Sequence, residues 1–340
     1  MRRLSLPARN GGPIMLKRWL AALAIAASGI PASGALAQSL HPPDPTWNVP
    51  QIGALPDDEM RQTVRRGHDL VTATYAHIGP NVADPAKRYA GNNLACSNCH
   101  LHAGTKKFGL PLWGLWNDFP QYSARLGAEI GIEQRVNSCM ERSMNGRALP
   151  EDSPEMRGLV AYIKFLSTGV KPGEKVSGLG AGTMPFLKRA ADPERGKRIF
   201  ARACAICHGP DGQGVLRSRE VPALGYLNPP LWGPDSFNDG AGMARLTNAA
   251  NFVHFNMPNG TSYDLPQLSQ VESWDVAAYV ISKPRPKKAD LNRDFPDLLL
   301  KPVDTPYGPY ADGFSQKQHQ FGPFGPIVRA IDKLKAEKKN

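Results

Sequence analysis

Two five-residue motifs stand out in this 340-residue sequence: Cys96-Ser97-Asn98-Cys99-His100 and Cys204-Ala205-Ile206-Cys207-His208. Both match the Cys-x-x-Cys-His rule for covalent attachment of c-type haem, in which two thiols bond to the haem vinyl groups and the adjacent histidine binds the iron. Zinc sites and redox-active cysteine pairs do not need the trailing histidine. The motifs therefore predict two covalently bound haem c groups, with His100 and His208 as iron ligands.

The sequence around each motif repeats at low identity. A helix with apolar residues at helical spacing precedes each motif: the first is predicted to run from Arg66-Gly67 to about Ile78, and the second to begin at Arg195-Gly196. Each motif is followed by a long Gly/Pro-rich stretch and a closing helix, which contains Ala161-Tyr162-Ile163 or Ala278-Tyr279-Val280. This order is the arrangement of class I cytochrome c domains. The sequence thus predicts a mainly α fold with two such domains.

The domain boundaries follow from the repeat and from local composition. We predict a signal peptide at 1–37, an N-terminal cytochrome c domain at 38–170, a Gly/Pro-containing linker at 171–191, a C-terminal cytochrome c domain at 192–285 and a tail at 286–340. The tail is rich in Pro, Phe and Tyr, so we expect it to pack along the domains.

The N-terminus predicts export. Lys17 and Arg18 precede an apolar run, and small residues then lead to Ala35-Leu36-Ala37, after which cleavage is expected. Translation starts at Met1 or at Met15 in this interpretation. The apolar run is shorter than the roughly 20 residues that span a membrane, so we expect a periplasmic protein without a stable membrane span. An uncleaved anchor is the alternative.

Composition limits the possible functions further. The first 37 residues hold five basic residues and no acid, so the formal charge of +11 falls to +6 without them. No arginine–lysine stripe is present, which argues against a general nucleic-acid binder. The 33 Gly and 32 Pro favour short elements and long irregular connections.

The repeat also predicts the second axial ligand of each haem. Met257 lies 21 residues before Ala278 in the second closing helix. Cys139 lies 22 residues before Ala161 in the first. Counting back from the closing helices thus makes Met257 the predicted second ligand of haem 2 and Cys139 that of haem 1. The alternatives for haem 2 are Met243 and His254.

Cys139 is the fifth cysteine, and the other four are used for haem attachment, so it has no intramolecular cysteine partner. Arg135 and Arg142 lie near it in sequence and favour its thiolate form. An anionic sulfur stabilises ferric iron, so haem 1 is predicted to have the lower reduction potential and to pass electrons to haem 2. The alternatives are a buried inert thiol, an intermolecular disulfide, or ligation of haem 1 by Met140, Met144 or His102.

Further informative stretches outside the haem motifs are spread across most of the chain after residue 37. They are residues 89–94, 111–114, 120–122, 133–146, 301–304 and 307–312, and the most specific are Glu133-Gln134-Arg135 and Ser143-Met144-Asn145-Gly146 on either side of Cys139. With these stretches the chain resembles the dihaem thiosulfate dehydrogenases. The resemblance implies oxidation of two thiosulfate ions to tetrathionate at haem 1. The two electrons would leave through haem 2 to an external acceptor such as a small cytochrome c.

The resemblance also implies roles for individual residues around haem 1. His100 and Cys139 would be its iron ligands, and Arg125 and Arg135 would lie beside it. Two thiosulfate dianions repel each other when they meet. The guanidinium groups of arginines can neutralise and orient their sulfonate oxygens.

For haem 2 the resemblance implies His208 and Met257 as ligands. Some members of the family have a lysine beside this methionine that competes for the iron. Asn256 stands at that position here, so we expect no such exchange of ligands.

Two other function classes stay open. One is a dihaem electron-transfer protein or subunit without a substrate of its own, for which Cys139 has no chemical role. The other is a tetrathionate reductase or a different cysteine-based sulfur enzyme, for which sulfur adducts on Cys139 are expected.

Overall fold

The chain has a mainly α fold, here in a computed structural model that describes residues 47–174 and 176–339. The α-helices are α1 (Glu59–Thr72), α2 (Thr74–Ile78), α3 (Leu101–Gly104), α4 (Ile132–Arg142), α5 (Pro154–Leu166), α6 (Pro193–Ala203), α7 (Ala205–His208), α8 (Leu246–Asn256), α9 (Gln270–Ile281), α10 (Gln316–Phe321) and α11 (Phe324–Lys339). The strands form two antiparallel hairpins: β1 (Gln121–Ser123) with β2 (Ala128–Ile130), and β3 (Val215–Leu216) with β4 (Tyr226–Asn228).

The N-terminal sequence signal cannot be compared with this structure, since residues 1–37 lie outside the described part of the chain. Among the helices that the structure describes, none is long and apolar enough to cross a membrane.

The helix before the first haem motif starts earlier than predicted. α1 begins at Glu59, seven residues before Arg66, because the side chain of Asp58 accepts a hydrogen bond from the backbone N–H of Arg61 and caps the helix. The apolar periodicity begins only at Val64, so it does not mark the polar first turn. The predicted helix toward Ile78 is also divided, since α1 ends at Thr72 and α2 begins at Thr74.

The two closing helices pack on the helices that precede the haem motifs, and both crossings are made at glycine. α1 crosses α5 where a Cβ on Gly67 would lie 2.0 Å from the backbone oxygen of Gly158. α6 crosses α9 where a Cβ on Gly196 would lie 1.9 Å from the backbone oxygen of Asp275. The repeat seen in the sequence is therefore a repeat of helix packing.

Replacing Gly196 with alanine is expected to lower the free energy of unfolding by about 1–3 kcal/mol, because the new methyl group forces the two helix backbones apart. Gly53→Ala is the matched control, since nothing lies within 4 Å of a Cβ at that position. Guanidinium denaturation of the haem-loaded protein measures the unfolding midpoint of both variants. Equal midpoints for the two variants would contradict the close crossing.

The C-terminal tail shares a core with the second half of the chain. Trp274 and Ala277 of α9 are buried against Phe324, Ile327 and Ile331 of α11. Because α8 packs on α9 and contributes buried residues to the same cluster, the tail helix stabilises the helix pair that follows the second haem motif.

The two halves are joined by hydrogen bonds close to the first haem motif. The side chain of Asn92 donates to the backbone oxygen of Ser236 (3.2 Å), and Asn93 donates to the carboxylate of Asp235 from both its backbone and its side chain. In the other direction, Asn238 donates to the backbone oxygen of Glu141 in α4 (2.8 Å). These contacts fix the loop after β4 beside the segment that carries Cys139.

Candidate functional site

An apolar cavity encloses the first Cys-x-x-Cys-His motif. Cys96, Cys99 and His100 line it together with Cys139 from α4. The remaining lining is largely aliphatic and includes Val71, Leu94, Leu112, Leu159 and Ile163. A macrocycle with apolar faces and an iron at its centre fits such a cavity, because sulfur and imidazole ligands come from the motif and from α4.

The two proximal histidines are oriented in the same way. His100 Nδ1 lies 2.6 Å from the backbone oxygen of Leu110, and His208 Nδ1 lies 2.8 Å from that of Pro229. A carbonyl only accepts, so Nδ1 carries the proton and Nε2 keeps its lone pair for a metal. Leu110 has a left-handed backbone (φ 55°), an uncommon conformation that presents its carbonyl to His100. This geometry fits a haem iron bound at Nε2 in each half.

A second apolar cavity encloses the other motif. Cys204 and His208 line it, and so does Met257, which directly follows α8. The structure thus brings the predicted ligand pair of haem 2 into one cavity. His254 is buried outside this lining, with its ring 3.3 Å from the hydroxyl of Ser273. Met243 does line the cavity and stays an alternative ligand.

The two haem cavities are neighbours. Leu94, Cys99, Phe237 and Met243 line both of them. A single layer of side chains therefore separates the two cofactor sites, which permits direct electron transfer between them. The repeat in the sequence does not reveal this proximity, because it depends on how the two halves pack.

Cys139 differs chemically from the two other cysteines of the first cavity. Desolvation raises the pKa of Cys96 to about 11 and that of Cys99 to about 12. Desolvation acts on Cys139 as well, but the positive charge of Arg135 and the proximity of the His100 imidazole outweigh it and lower the pKa of the thiol to about 6. Arg135 Nη1 donates to the sulfur at 2.8 Å. The charge and the hydrogen bond of Arg135 therefore favour the thiolate form of Cys139.

The alternative ligands of haem 1 lie in different surroundings. Met140 and Met144 are buried and line the same cavity as Cys139. His102 is exposed and does not line this cavity, so its position does not favour ligation of the haem 1 iron.

A larger, polar cavity of about 590 Å³ adjoins the first haem cavity. Cys139 and His100 line both cavities. Four arginines line the polar cavity: Arg125, Arg135, Arg142 and Arg245. The structure therefore brings the two predicted substrate arginines, Arg125 and Arg135, together beside Cys139, and adds two that the sequence did not single out as cavity residues.

Asp294 in the tail holds two of these arginines. Arg125 Nη1 lies 2.9 Å from one carboxylate oxygen, and Arg142 Nη2 lies 2.8 Å from the other. Arg125 Nη1 also reaches the backbone oxygen of Gly240 (3.0 Å) and the hydroxyl of Tyr307 (3.1 Å). Asp294 is buried, so this is a desolvated ion-pair network rather than a surface bridge.

Asp304 holds the fourth arginine in a similar way. Arg245 Nε donates to its carboxylate at 2.7 Å, and the backbone N–H of Thr247 donates at 2.9 Å. Sequence reasoning missed both carboxylates, because they lie 59 to 169 positions from the arginines that they hold. No local pattern connects residues so far apart.

Two protein-family models match the chain. Residues 86–171 match the family model described as SoxA/TsdA, cytochrome c domain, and residues 193–283 match the model described as Cytochrome c. A thiosulfate dehydrogenase from Allochromatium vinosum is 41% identical over 266 residues, which cover 77% of this chain and 93% of that protein. The chain belongs to the thiosulfate dehydrogenase family.

Other members of the thiosulfate dehydrogenase family are similarly close. The enzyme of that name from Psychrobacter arcticus is 37% identical over 261 residues, or 74% of this chain and 72% of the relative. A solved structure of thiosulfate dehydrogenase (TsdBA) from Marichromatium purpuratum has 32% identity and a TM-score of 0.64. The match covers 72% of this chain and half (50%) of the Marichromatium chain.

Membership of the thiosulfate dehydrogenase family confirms several predictions. The chain is an oxidoreductase and a c-type cytochrome with two covalently bound haem c groups. Its mainly α fold contains two cytochrome c domains.

Proposed function

We propose that this chain oxidises two thiosulfate ions to tetrathionate beside haem 1 and passes the two electrons through haem 2 to an external acceptor, a small cytochrome c, in the periplasm. One observation carries the proposal. Cys139, with Arg135 2.8 Å from its sulfur, lines both the first haem cavity and the polar cavity with the four arginines. An anion bound in the polar cavity thus lies next to a thiolate at the haem site.

Each haem would be held by its own motif and by one ligand from another segment. Those for haem 1 are Cys96, Cys99, His100 and Cys139, all of which line the first cavity. Those for haem 2 are Cys204, Cys207, His208 and Met257, of which Cys204, His208 and Met257 line the second cavity. Haem c, when bound, accepts and releases single electrons. In this division, the N-terminal domain (38–170) is catalytic and the C-terminal domain (192–285) is the electron exit.

The arginines solve the main electrostatic problem of the reaction. Two thiosulfate dianions must approach until a bond forms between their terminal sulfur atoms, and two electrons leave while no proton is taken up or released. Arg125 and Arg135 donate hydrogen bonds to the sulfonate oxygens and offset the repulsion between the ions. Arg135 also stabilises the negative charge of Cys139, and the aliphatic wall on its other side keeps water from the reacting sulfur atoms.

A single-turnover experiment tests this function. The fully oxidised holoprotein is mixed with thiosulfate under anaerobic conditions without any acceptor, and haem reduction is followed by absorbance. We expect both haems to be reduced, with one tetrathionate formed per chain. An unreduced protein with both haems attached would instead support the electron-carrier interpretation.

Replacing Met257 with alanine tests the exit site. We expect loss of the methionine–iron charge-transfer band of ferric haem 2 and a fall of its reduction potential on the order of 100 mV, because a thioether ligand raises the potential. Met243→Leu is the matched control, since Met243 lines the same cavity. Spectroelectrochemical titration measures both variants. Loss of the band in Met243→Leu alone would make Met243 the ligand.

A further inference from the structure

The second cytochrome domain supplies part of the polar cavity. Arg245 directly precedes α8, and Asn248 and Asn251 follow at three-residue spacing, so the three residues share one face of the helix start. All three line the cavity that contains Cys139. The oxygen of Asn251 accepts a hydrogen bond from the backbone N–H of Met184, whereas its amide N–H groups have no partner in the described part of the chain. They are available to an anion.

The charges beside this part of the cavity do not balance. Arg125, Arg142 and Arg245 pair with Asp294 and Asp304. Lys301 Nζ lies 4.9 Å from the ring centre of Tyr307, whose hydroxyl donates to Asp294. Four cationic side chains thus meet two carboxylates, which leaves an excess of two positive charges in a largely buried cluster. Burial lowers the pKa of Arg125, and the like charges of Arg142 and Arg245 contribute to that lowering.

An excess of two positive charges is matched by one dianion. One donor of Arg135 is taken by the sulfur of Cys139, since its Nη1 lies 2.8 Å from that atom. The cavity therefore has two different ends: at one, Arg135 contacts Cys139, and at the other, the cationic side chains around Arg245 outnumber the carboxylates. Two thiosulfate ions that meet in one cavity need two such places.

We propose that Arg245, with Asn248 and Asn251, forms the binding subsite for the sulfonate group of the second thiosulfate ion, while the first ion lies at Cys139. The subsite rests on the proposed function, because it assigns the second of its two substrate ions. Asp304 is a positioning residue, which fixes the guanidinium of Arg245 from behind through its carboxylate. Substrate is then bound between the two cytochrome domains, and α8 runs from the subsite at Arg245 to the haem 2 ligand at Met257.

The first test is kinetic. Arg245→Gln is expected to raise the thiosulfate concentration at half-maximal rate about tenfold or more, because a charge-assisted hydrogen bond to the anion is lost, while the rate at saturation falls much less. Arg157→Gln, an exposed arginine outside the cavity, is the matched control and should behave as the wild type. Equal half-saturating concentrations in the Arg245→Gln variant and the wild type would overturn the subsite.

The second test is binding without turnover. The holoprotein is reduced with ascorbate, so that it cannot oxidise substrate, and is dialysed against radiolabelled thiosulfate. We expect two ions per chain in the wild type and one in Arg245→Gln. One ion per chain in the wild type, or two in the variant, would overturn the subsite. This result does not depend on product formation, so a wild type that forms no tetrathionate would refute the proposed function alone.

Further variants separate binding from folding. Arg245→Gln leaves the carboxylate of Asp304 buried without its partner, which can destabilise the fold. The double variant Arg245→Gln/Asp304→Asn removes both charges. We expect it to recover the unfolding midpoint but not the second thiosulfate. Arg245→Lys should recover part of the affinity, since it keeps the charge but not the fork. Recovery of full affinity in the double variant would overturn the proposal.

Discussion

Replacing Cys139 with methionine is expected to reduce tetrathionate formation by a factor on the order of 10³ or more and to raise the reduction potential of haem 1. A thioether is neutral, so the ferric iron would lose the anionic ligand that we propose for haem 1, and the reduced state would be favoured. Arg135 also loses the thiolate to which it donates at 2.8 Å, and its charge is left without a partner at that end of the cavity. Both effects remove the asymmetry between haem 1 and haem 2.

The reduction potential of haem 1 in the Cys139→Met variant is measured by spectroelectrochemical titration, and its rate of tetrathionate formation is measured by a turnover assay. Met140→Leu and Met144→Leu are matched controls, because both methionines line the same cavity as Cys139. We expect both controls to keep the spectrum and the activity of the wild type. An unchanged spectrum and rate in Cys139→Met would refute the assignment of Cys139, and a changed ferric spectrum in either control would transfer ligation to that methionine.

Replacing Asp294 with alanine is expected to lower the free energy of unfolding by about 3–5 kcal/mol, because removal of one partner leaves buried charges uncompensated. Its carboxylate is buried and pairs with Arg125 at 2.9 Å and with Arg142 at 2.8 Å. Tyr307 donates to it at 2.6 Å. Without the carboxylate of Asp294, the two guanidinium groups that line the polar cavity are no longer held in place. The half-saturating thiosulfate concentration should therefore rise as well.

Guanidinium denaturation and steady-state kinetics measure this variant. Asp297→Asn is the matched control in the same tail segment, since Asp297 forms a surface pair with Lys338 and accepts a hydrogen bond from the backbone N–H of Leu299, which asparagine can also accept. We expect the midpoint of the control to stay at the wild-type value. Asp294→Asn keeps the shape and one acceptor, and its midpoint should lie between the two. An Asp294→Ala variant as stable as Asp297→Asn would show that the network does not hold the tail to the arginines.

Local patterns accounted for the parts of the site that are close in sequence. The haem motifs fix their cysteines and histidines within five residues, and the closing helices α5 and α9 follow from helical spacing alone. Counting back from these helices placed Cys139 and Met257, and the structure puts each in the cavity of its predicted histidine partner. Ligation of the iron by these two residues stays a prediction.

The remaining features depend on contacts between distant segments. The wall shared by the two haem cavities combines Leu94 and Cys99 with Phe237 and Met243, which a repeat within each half cannot reveal. Asp294 and Asp304 belong to the tail. Its composition predicted that it packs along the two domains, but not which of its residues pair with the arginines. Arg245 lies in the second cytochrome domain. When each domain is considered by itself, the whole proposed substrate site falls in the first cytochrome domain.

The stoichiometry of steady-state turnover tests the central claim most directly. The purified holoprotein alone is supplied with thiosulfate and ferricyanide, and tetrathionate is counted by ion chromatography against the ferricyanide reduced. We predict one tetrathionate for every two ferricyanide ions reduced, without any partner protein. Ferricyanide reduction without tetrathionate, or no reduction by protein with both haems intact, would contradict it.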